Sequence, residues 1–265
     1  MIRSIAFAAL VSYVSAQSIP SISSGCQSAI TGVAANPDAA ACLSPGSLVA
    51  LAATSSSSSI IDPINQWLTS LCAAPACSSA TISAVVQNVT TGCASDLAPL
   101  GFSASLTPSI TGIIQQYYPT VRKVVCLKDG NTNCITQTLT NVEKASGSPI
   151  TLENITTIAA TANLTDPAIT CTNCIKAAYN VIKTDLPSLV SDADADLNQQ
   201  CGASFTDGQT PAGILQSANS ATATPGSQNS NNNSGALGFA SSRGALAGLG
   251  ASAAIIISSF FAILA

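Results

Sequence analysis

The chain has 265 residues, of which 8 are basic, 12 are acidic and none is histidine, for a formal net charge of −4. An acidic balance at only 8% charged residues excludes the basic footprint needed for nucleic acid or anionic lipid head groups. The absence of histidine excludes Ser-His-Asp and Cys-His catalysis and the usual His-based zinc sites.

The first element is a processing signal. Arg3 supplies a positive start, residues 5–14 form an apolar run too short to span a bilayer, and Val14-Ser15-Ala16 offers small residues before a cut. Residues 1–16 are therefore expected to be a secretory signal peptide, with Gln17 as the new N-terminus.

Residues 25–205 are long enough for one domain, and their periodicity is helical. Asp62-Pro63 precedes "INQWLTSL" and Thr107-Pro108 precedes "SITGIIQQYY", and proline suits a first helical turn. Ile82, Val85, Val86 and Val89 stand at i, i+3, i+4 and i+7, as do Ile175, Ala178, Tyr179 and Ile182. On the second of these helices Lys176, Asn180 and Lys183 are expected to face water. Sustained strict alternation is rare, so the expected fold is mainly α. "TSSSSSI" at 54–60 is a flexible loop.

All ten cysteines, Cys26, Cys42, Cys72, Cys77, Cys93, Cys126, Cys134, Cys171, Cys174 and Cys201, lie in this domain. An even number in a secreted chain predicts disulfides, with the pairing left open. Their order suggests two related halves of five, each with a close pair (Cys72/Cys77 and Cys171/Cys174) leading into a striped helix, although the gap lengths differ. Cys171-Thr172-Asn173-Cys174 has the spacing of a redox centre or half a zinc site. A redox site expects a βαβ setting and zinc would lack histidine, so a structural staple is expected, with each close cysteine fastening its helix to another segment.

The segments "WLTSLCAAPAC" (67–77), "YYPTVRKVVCLKD" (117–129), "CITQTL" (134–139) and "CTNCIKAAYNVI" (171–182) resemble a fungal family of secreted, cysteine-rich, GPI-anchored proteins of uncharacterised function. The resemblance covers most of residues 26–205. It implies a location and a disulfide-stapled helical fold, and carries over no catalytic residues.

Four features carry residue types that a site could use. "SDADADLNQQC" (191–201) places Asp192, Asp194 and Asp196 at the first oxygen positions of a calcium loop. Leu197 stands where that loop needs glycine and Ala203 where it needs glutamate, so Ser191 capping an acidic first turn is preferred. Arg122, Lys123 and Lys128 form a small basic cluster that could grip an anionic glycan or head group, a solvated patch being the plainer reading. Trp67, Tyr117 and Tyr118 could stack on sugar, with core packing the plainer reading. A glycosidase would need two paired carboxylates, and Glu143 and Glu153 are the only glutamates.

Residues 206–234 are rich in Ser, Thr, Asn, Gly and Pro and predict a disordered stalk. Small residues at Ser234-Gly235-Ala236, a short spacer and the uncharged tail 245–265 match a GPI-attachment signal, making 235–265 a removed propeptide. Ser234 is the preferred attachment residue and Asn233 the alternative. Between residues 17 and 234, six basic residues against twelve acidic give −6. Sequons at Asn88, Asn154, Asn163 and Asn232 are candidate N-glycosylation sites.

The expectation is a GPI-anchored cell-surface or cell-wall glycoprotein, extracellular, non-enzymatic and without a cofactor. Its partners would be the membrane, reached through a GPI lipid, and cell-wall glycans or surface proteins, with no nucleic acid. The alternative is an extracellular binding module for a lipid, sterol or other apolar ligand.

Overall fold

The computed structural model describes residues 23–48, 58–155, 157–158 and 166–223. The signal segment, the serine loop up to residue 57 and the GPI segment lie outside them, as do Asn163, Asn232, Asn233 and Ser234. The described chain is mainly helical and is stapled by five disulfides.

Local chemistry sets the helix starts. Helix α1 (Ser24–Ala35) begins where Ser23 Oγ accepts from the Cys26 N–H. Helix α2 (Pro37–Leu43) has Asn36 as its cap and proline in its first turn. Helix α3 (Ile61–Ala73) carries Ile64, Trp67, Leu68 and Leu71 on its buried side. Helix α4 (Ser79–Gly92) is capped by Ser78 and is followed by the short α5 (Ala94–Leu97). The long α6 (Thr107–Val125) has Pro108 in its first turn.

A small sheet follows. Strand β1 (Leu127–Asp129) turns into β2 (Thr132–Asn133), and Asn133 then caps α7 (Cys134–Ser146). Helix α7 stops at Gly147, whose φ of 70° suits a residue without a Cβ. The remaining helices are α8 (Pro167–Thr170), α9 (Asn173–Asp185), α10 (Pro187–Val190) and α11 (Ala193–Cys201). Strand β3 (Ile214–Gln216) closes the sheet in the order β2-β1-β3, antiparallel, with Leu127 opposite Gln216 and Asp129 opposite Ile214.

Burial is organised around the bridges. Cys26–Cys93 packs with Ala29 and Leu97 between α1 and α4, and Cys42–Cys77 packs with Ile82 and Val86. Cys134–Cys174 packs with Leu127, Ala177 and Ile214. Cys72–Cys126 joins the end of α3 to the end of α6, and Cys171–Cys201 ties the approach of α9 to the end of α11. Taking the two sets of five, second-to-fourth pairing recurs (Cys42–Cys77 and Cys134–Cys174). The fifth cysteine pairs with the first in one set and with the third in the other, and Cys72–Cys126 crosses between them.

The domain runs past the boundary that composition suggests at 205. Residues 206–223 include β3 and then run parallel to the end of α3 and the segment that follows it: Asn219 N–H donates to the Cys72 carbonyl, Ala76 N–H to Ala221, and Ala223 N–H to Ala76. This correction to the stalk has a physical cause. The segment contributes little apolar surface, and it is held by backbone and Asn/Ser hydrogen bonds to helix-end carbonyls that would otherwise lack donors. Residues 224–234 lie outside the described chain.

Among the described residues no single helix is long and apolar enough to cross a membrane.

Candidate functional site

Helix α9 builds one wall of a recess. Thr172 caps it, and the bridge from Cys174 to Cys134 fixes which way it faces. Cys174 and Ala177 are buried against Leu127 of β1 and Ile214 of β3, with Val181 packed against the same cluster. The next positions round the helix, Asn180, Thr184 and Asp185, line a recess of about 280 Å³ with Lys123 of α6, Gln216 of β3 and the segment from Gly208 to Thr210. Leu127, Ala177, Val181 and Ile214 give it an apolar side.

Its polar side is organised by two groups. Lys123 Nζ lies 2.8 Å from Asp185 Oδ2 and 3.0 Å from Oδ1, and Thr120 Oγ1 donates to the same carboxylate at 3.0 Å. The Lys123 hydrogen bonds, then that of Thr120, hold the Asp185 carboxyl below the ordinary aspartate value against some desolvation. Deeper in, Asn180 Nδ2 donates to the Gln209 carbonyl at 2.9 Å. Asn180 is 8% exposed, and its Oδ1 is enclosed without a hydrogen-bond partner among the described residues.

Asn180 corrects the expectation that it faces water with Lys176 and Lys183. Cys174, Ala177 and Val181, at i, i+3 and i+7, are the stripe packed on the sheet, and Asn180 borders it. That spacing was the available signal. Lys176 instead reaches Ser204 O and Asp207, and Lys183 reaches Asp194.

The other candidates are placed as follows. Cys171 bridges to Cys201 and Cys174 to Cys134, so the Cys-x-x-Cys pair is divided between two segments, as Cys72 and Cys77 are between Cys126 and Cys42. No cysteine is free. The basic cluster is dispersed. Arg122 is buried with its guanidinium on the carbonyls of Leu71 and Ala74, Lys123 is paired with Asp185, and Lys128 sits within β1. Trp67 Nε1 donates to the Leu43 carbonyl, and the Tyr118 hydroxyl accepts from Cys77 N–H, so both rings serve the fold. Tyr117 is half-buried.

Among the described residues no group of three or more His, Cys, Asp or Glu side chains is placed to hold a metal. Asp192 rather than Ser191 occupies the N-cap position of α11, without a side-chain capping bond, and the Ser191 hydroxyl donates to Asp192 Oδ1. Glu143 accepts from Ser59 Oγ and from Ile150 N–H, a loop-fastening role. Of the sequons, Asn88 is exposed on α4. Asn154 is half-buried, accepting from Thr151 N–H and donating to the Pro149 carbonyl.

Compared with protein-family models, curated proteins and solved structures, the chain matches none.

Proposed function

We propose that this chain is a GPI-anchored glycoprotein of the extracellular surface or cell wall, attached through Ser234 or Asn233, with a non-enzymatic structural or interaction role. It fits the fungal family of secreted, cysteine-rich proteins that its cysteine-bearing segments resemble. The observation that carries the reading is the state of the cysteines. All ten are consumed in five bridges, the arrangement of a chain that works in an oxidising compartment rather than through a reactive thiol. Lys123 is paired with Asp185 and Arg122 is buried, so the reading draws on no basic patch.

Phosphatidylinositol-specific phospholipase applied to expressing cells tests it. The expected result is release of a protein whose peptide ends at residue 233 or 234. Retention on the cell with the tail 235–265 intact by mass spectrometry would overturn it.

The alternative, a module for a lipid, sterol or other apolar ligand, draws on the apolar side of the recess. Its volume of about 280 Å³ falls just below the roughly 300–1,000 Å³ of small-ligand pockets, and Asn180, Asp185 and Lys123 would face the ligand's hydrocarbon.

A further inference from the structure

We propose that Asn88 carries an N-linked glycan whose first sugars lie over helix α1 at Gly32. This deepens the glycoprotein reading above and rests on the extracellular route it assumes.

The state of the acceptor amide is the first argument. Asn88-Val89-Thr90 is a sequon in the second half of α4, and Asn88 is exposed. Its amide makes no hydrogen bond among the described residues, so a sugar on Nδ2 displaces nothing that the fold uses. Asn154 is the contrast. Its Nδ2 donates to the Pro149 carbonyl at 2.8 Å and its Oδ1 accepts from Thr151 N–H at 2.7 Å. A sugar there would replace one of the two amide hydrogens and crowd a clamp that holds residues 149–154.

Timing supplies the second. Sugar transfer uses the sequon hydroxyl beside the acceptor amide. In the folded chain Thr90 Oγ1 donates to the Val86 carbonyl at 2.8 Å and accepts from Thr107 Oγ1 at 3.1 Å. The sugar must therefore be attached before α4 packs, and the finished fold must have room for it.

Gly32 provides that room. A Cβ on Gly32 would stand 3.4 Å from Asn88 Nδ2 and would meet nothing else within 4 Å. The nitrogen that takes the sugar thus lies over a residue without a side chain. Beside it, Ser24, Ser28, Thr31 and Ala35 line, with Gly32, a shallow depression of about 530 Å³ that has no charged side chain. N-acetylglucosamine, the sugar that an N-linked glycan joins to asparagine, is neutral. It can set its hydroxyls and acetamido group against the serine and threonine hydroxyls, and its C–H face against Gly32 and Ala35.

The test is expression of the full chain in a eukaryotic secretory host. Peptide N-glycosidase acting in ¹⁸O-water should leave labelled aspartate at position 88 by mass spectrometry, and Asn88→Gln should remove the mass of one glycan. Amide hydrogen exchange then locates the sugar. Residues 24–35 should exchange about twofold or more slowly in the glycosylated protein than in Asn88→Gln, because the sugar covers the outer face of α1. If Asn88→Gln fails to fold, the folded protein stripped by the glycosidase takes its place. Asn88 unmodified on a chain that begins at Gln17 would overturn the proposal alone. Asn88 unmodified on a chain that keeps residues 1–16 would overturn it together with the extracellular reading. Equal exchange in α1 with and without the sugar would overturn its placement over Gly32.

Discussion

The side-chain amide of Asn219 donates to the carbonyl of Ala73 across 146 residues of chain, at 3.0 Å. It completes the end of α3. The four carbonyls at that helix end that lack intrahelical donors each receive one: Leu71 from Arg122 Nη1, Cys72 from Asn219 N–H, Ala73 from Asn219 Nδ2 and Ala74 from Arg122 Nη2. All four donors come from two distant residues, Arg122 and Asn219. Asn219→Ala should cost about 1–2 kcal/mol by urea denaturation, with faster hydrogen exchange in the last turn of α3. A chain truncated after Phe205 should be less stable than one ending at Ala223 by about 3 kcal/mol or more, because it also exposes Leu127 and loses the burial of Ile214. Equal stability of the two truncations would refute the strap.

Helices α1 and α4 approach closely because their contact side chains are nearly absent. A Cβ on Gly92 would stand 2.4 Å from the Cβ of Ala29, and one on Gly25 would stand 2.9 Å from the Gly92 carbonyl. The Cys26–Cys93 bridge, with Cα atoms 4.1 Å apart, lies beside the same contact. Gly92→Ala should therefore lower stability by about 1–3 kcal/mol through overpacking, despite the better helix propensity of alanine. Adding Ala29→Gly should recover part of the loss. A double-mutant cycle showing no coupling between the two positions would contradict the contact.

Which features were legible in sequence follows from their range. The starts of α3 and α6 were announced by Pro63 and Pro108, because proline suits a first helical turn; neither helix has a side-chain cap bond, and Asp62 and Thr107 lie inside their first turns. Helix α9 was also legible, and Tyr179 and Ala178 of its expected stripe are covered, but the centre of its buried face was not. Ile175 and Ile182 suggested one stripe, whereas the bridge to Cys134 turns Cys174 and Ala177 inward and draws Asn180 under cover. A hydropathy pattern gives no weight to a cross-link formed with a residue forty positions away. The segment 206–223 was misread for a related reason. Its composition reports how little apolar surface it can bury, and says nothing of the unpaired carbonyls at the ends of α3 and α6 that its Ser217 and Asn219 satisfy.

Arg122 places a full charge in the interior with carbonyls as its partners. Its Nη1 donates to Leu71 O at 3.0 Å and its Nη2 to Ala74 O, so the guanidinium sits at the negative end of α3. Lysine cannot present two donors in that fork, and methionine presents none. Arg122→Lys and Arg122→Met should each cost about 2–3 kcal/mol, read as a lower denaturant midpoint, with the methionine variant at the upper end. A lysine variant as stable as the wild type would show that the fork contributes nothing.

The Lys123–Asp185 pair predicts how stability responds to acid. The Asp185 carboxyl is held below its ordinary value by Lys123 and Thr120, so its folded value lies under an unfolded value of about 3.9. Above that value the carboxylate is ionised in both states and the pair contributes fully. As the pH falls below about 4, the unfolded chain takes up the proton first, and the contribution fades until the folded carboxyl is protonated as well. Asp96, held low by Ser23, and Asp207, held low by Lys176, act in the same direction over the same window. Because the Lys123 side chain is about half exposed, the pair should be worth no more than about 1 kcal/mol, and less in high salt. Asp185→Asn should thus be slightly less stable than the wild type at pH 6, and the gap should close as the pH is taken below 4. A gap that widens on acidification, in urea titrations across that range, would mean that Asp185 is stabilised as the neutral acid and that the ion pair is misassigned.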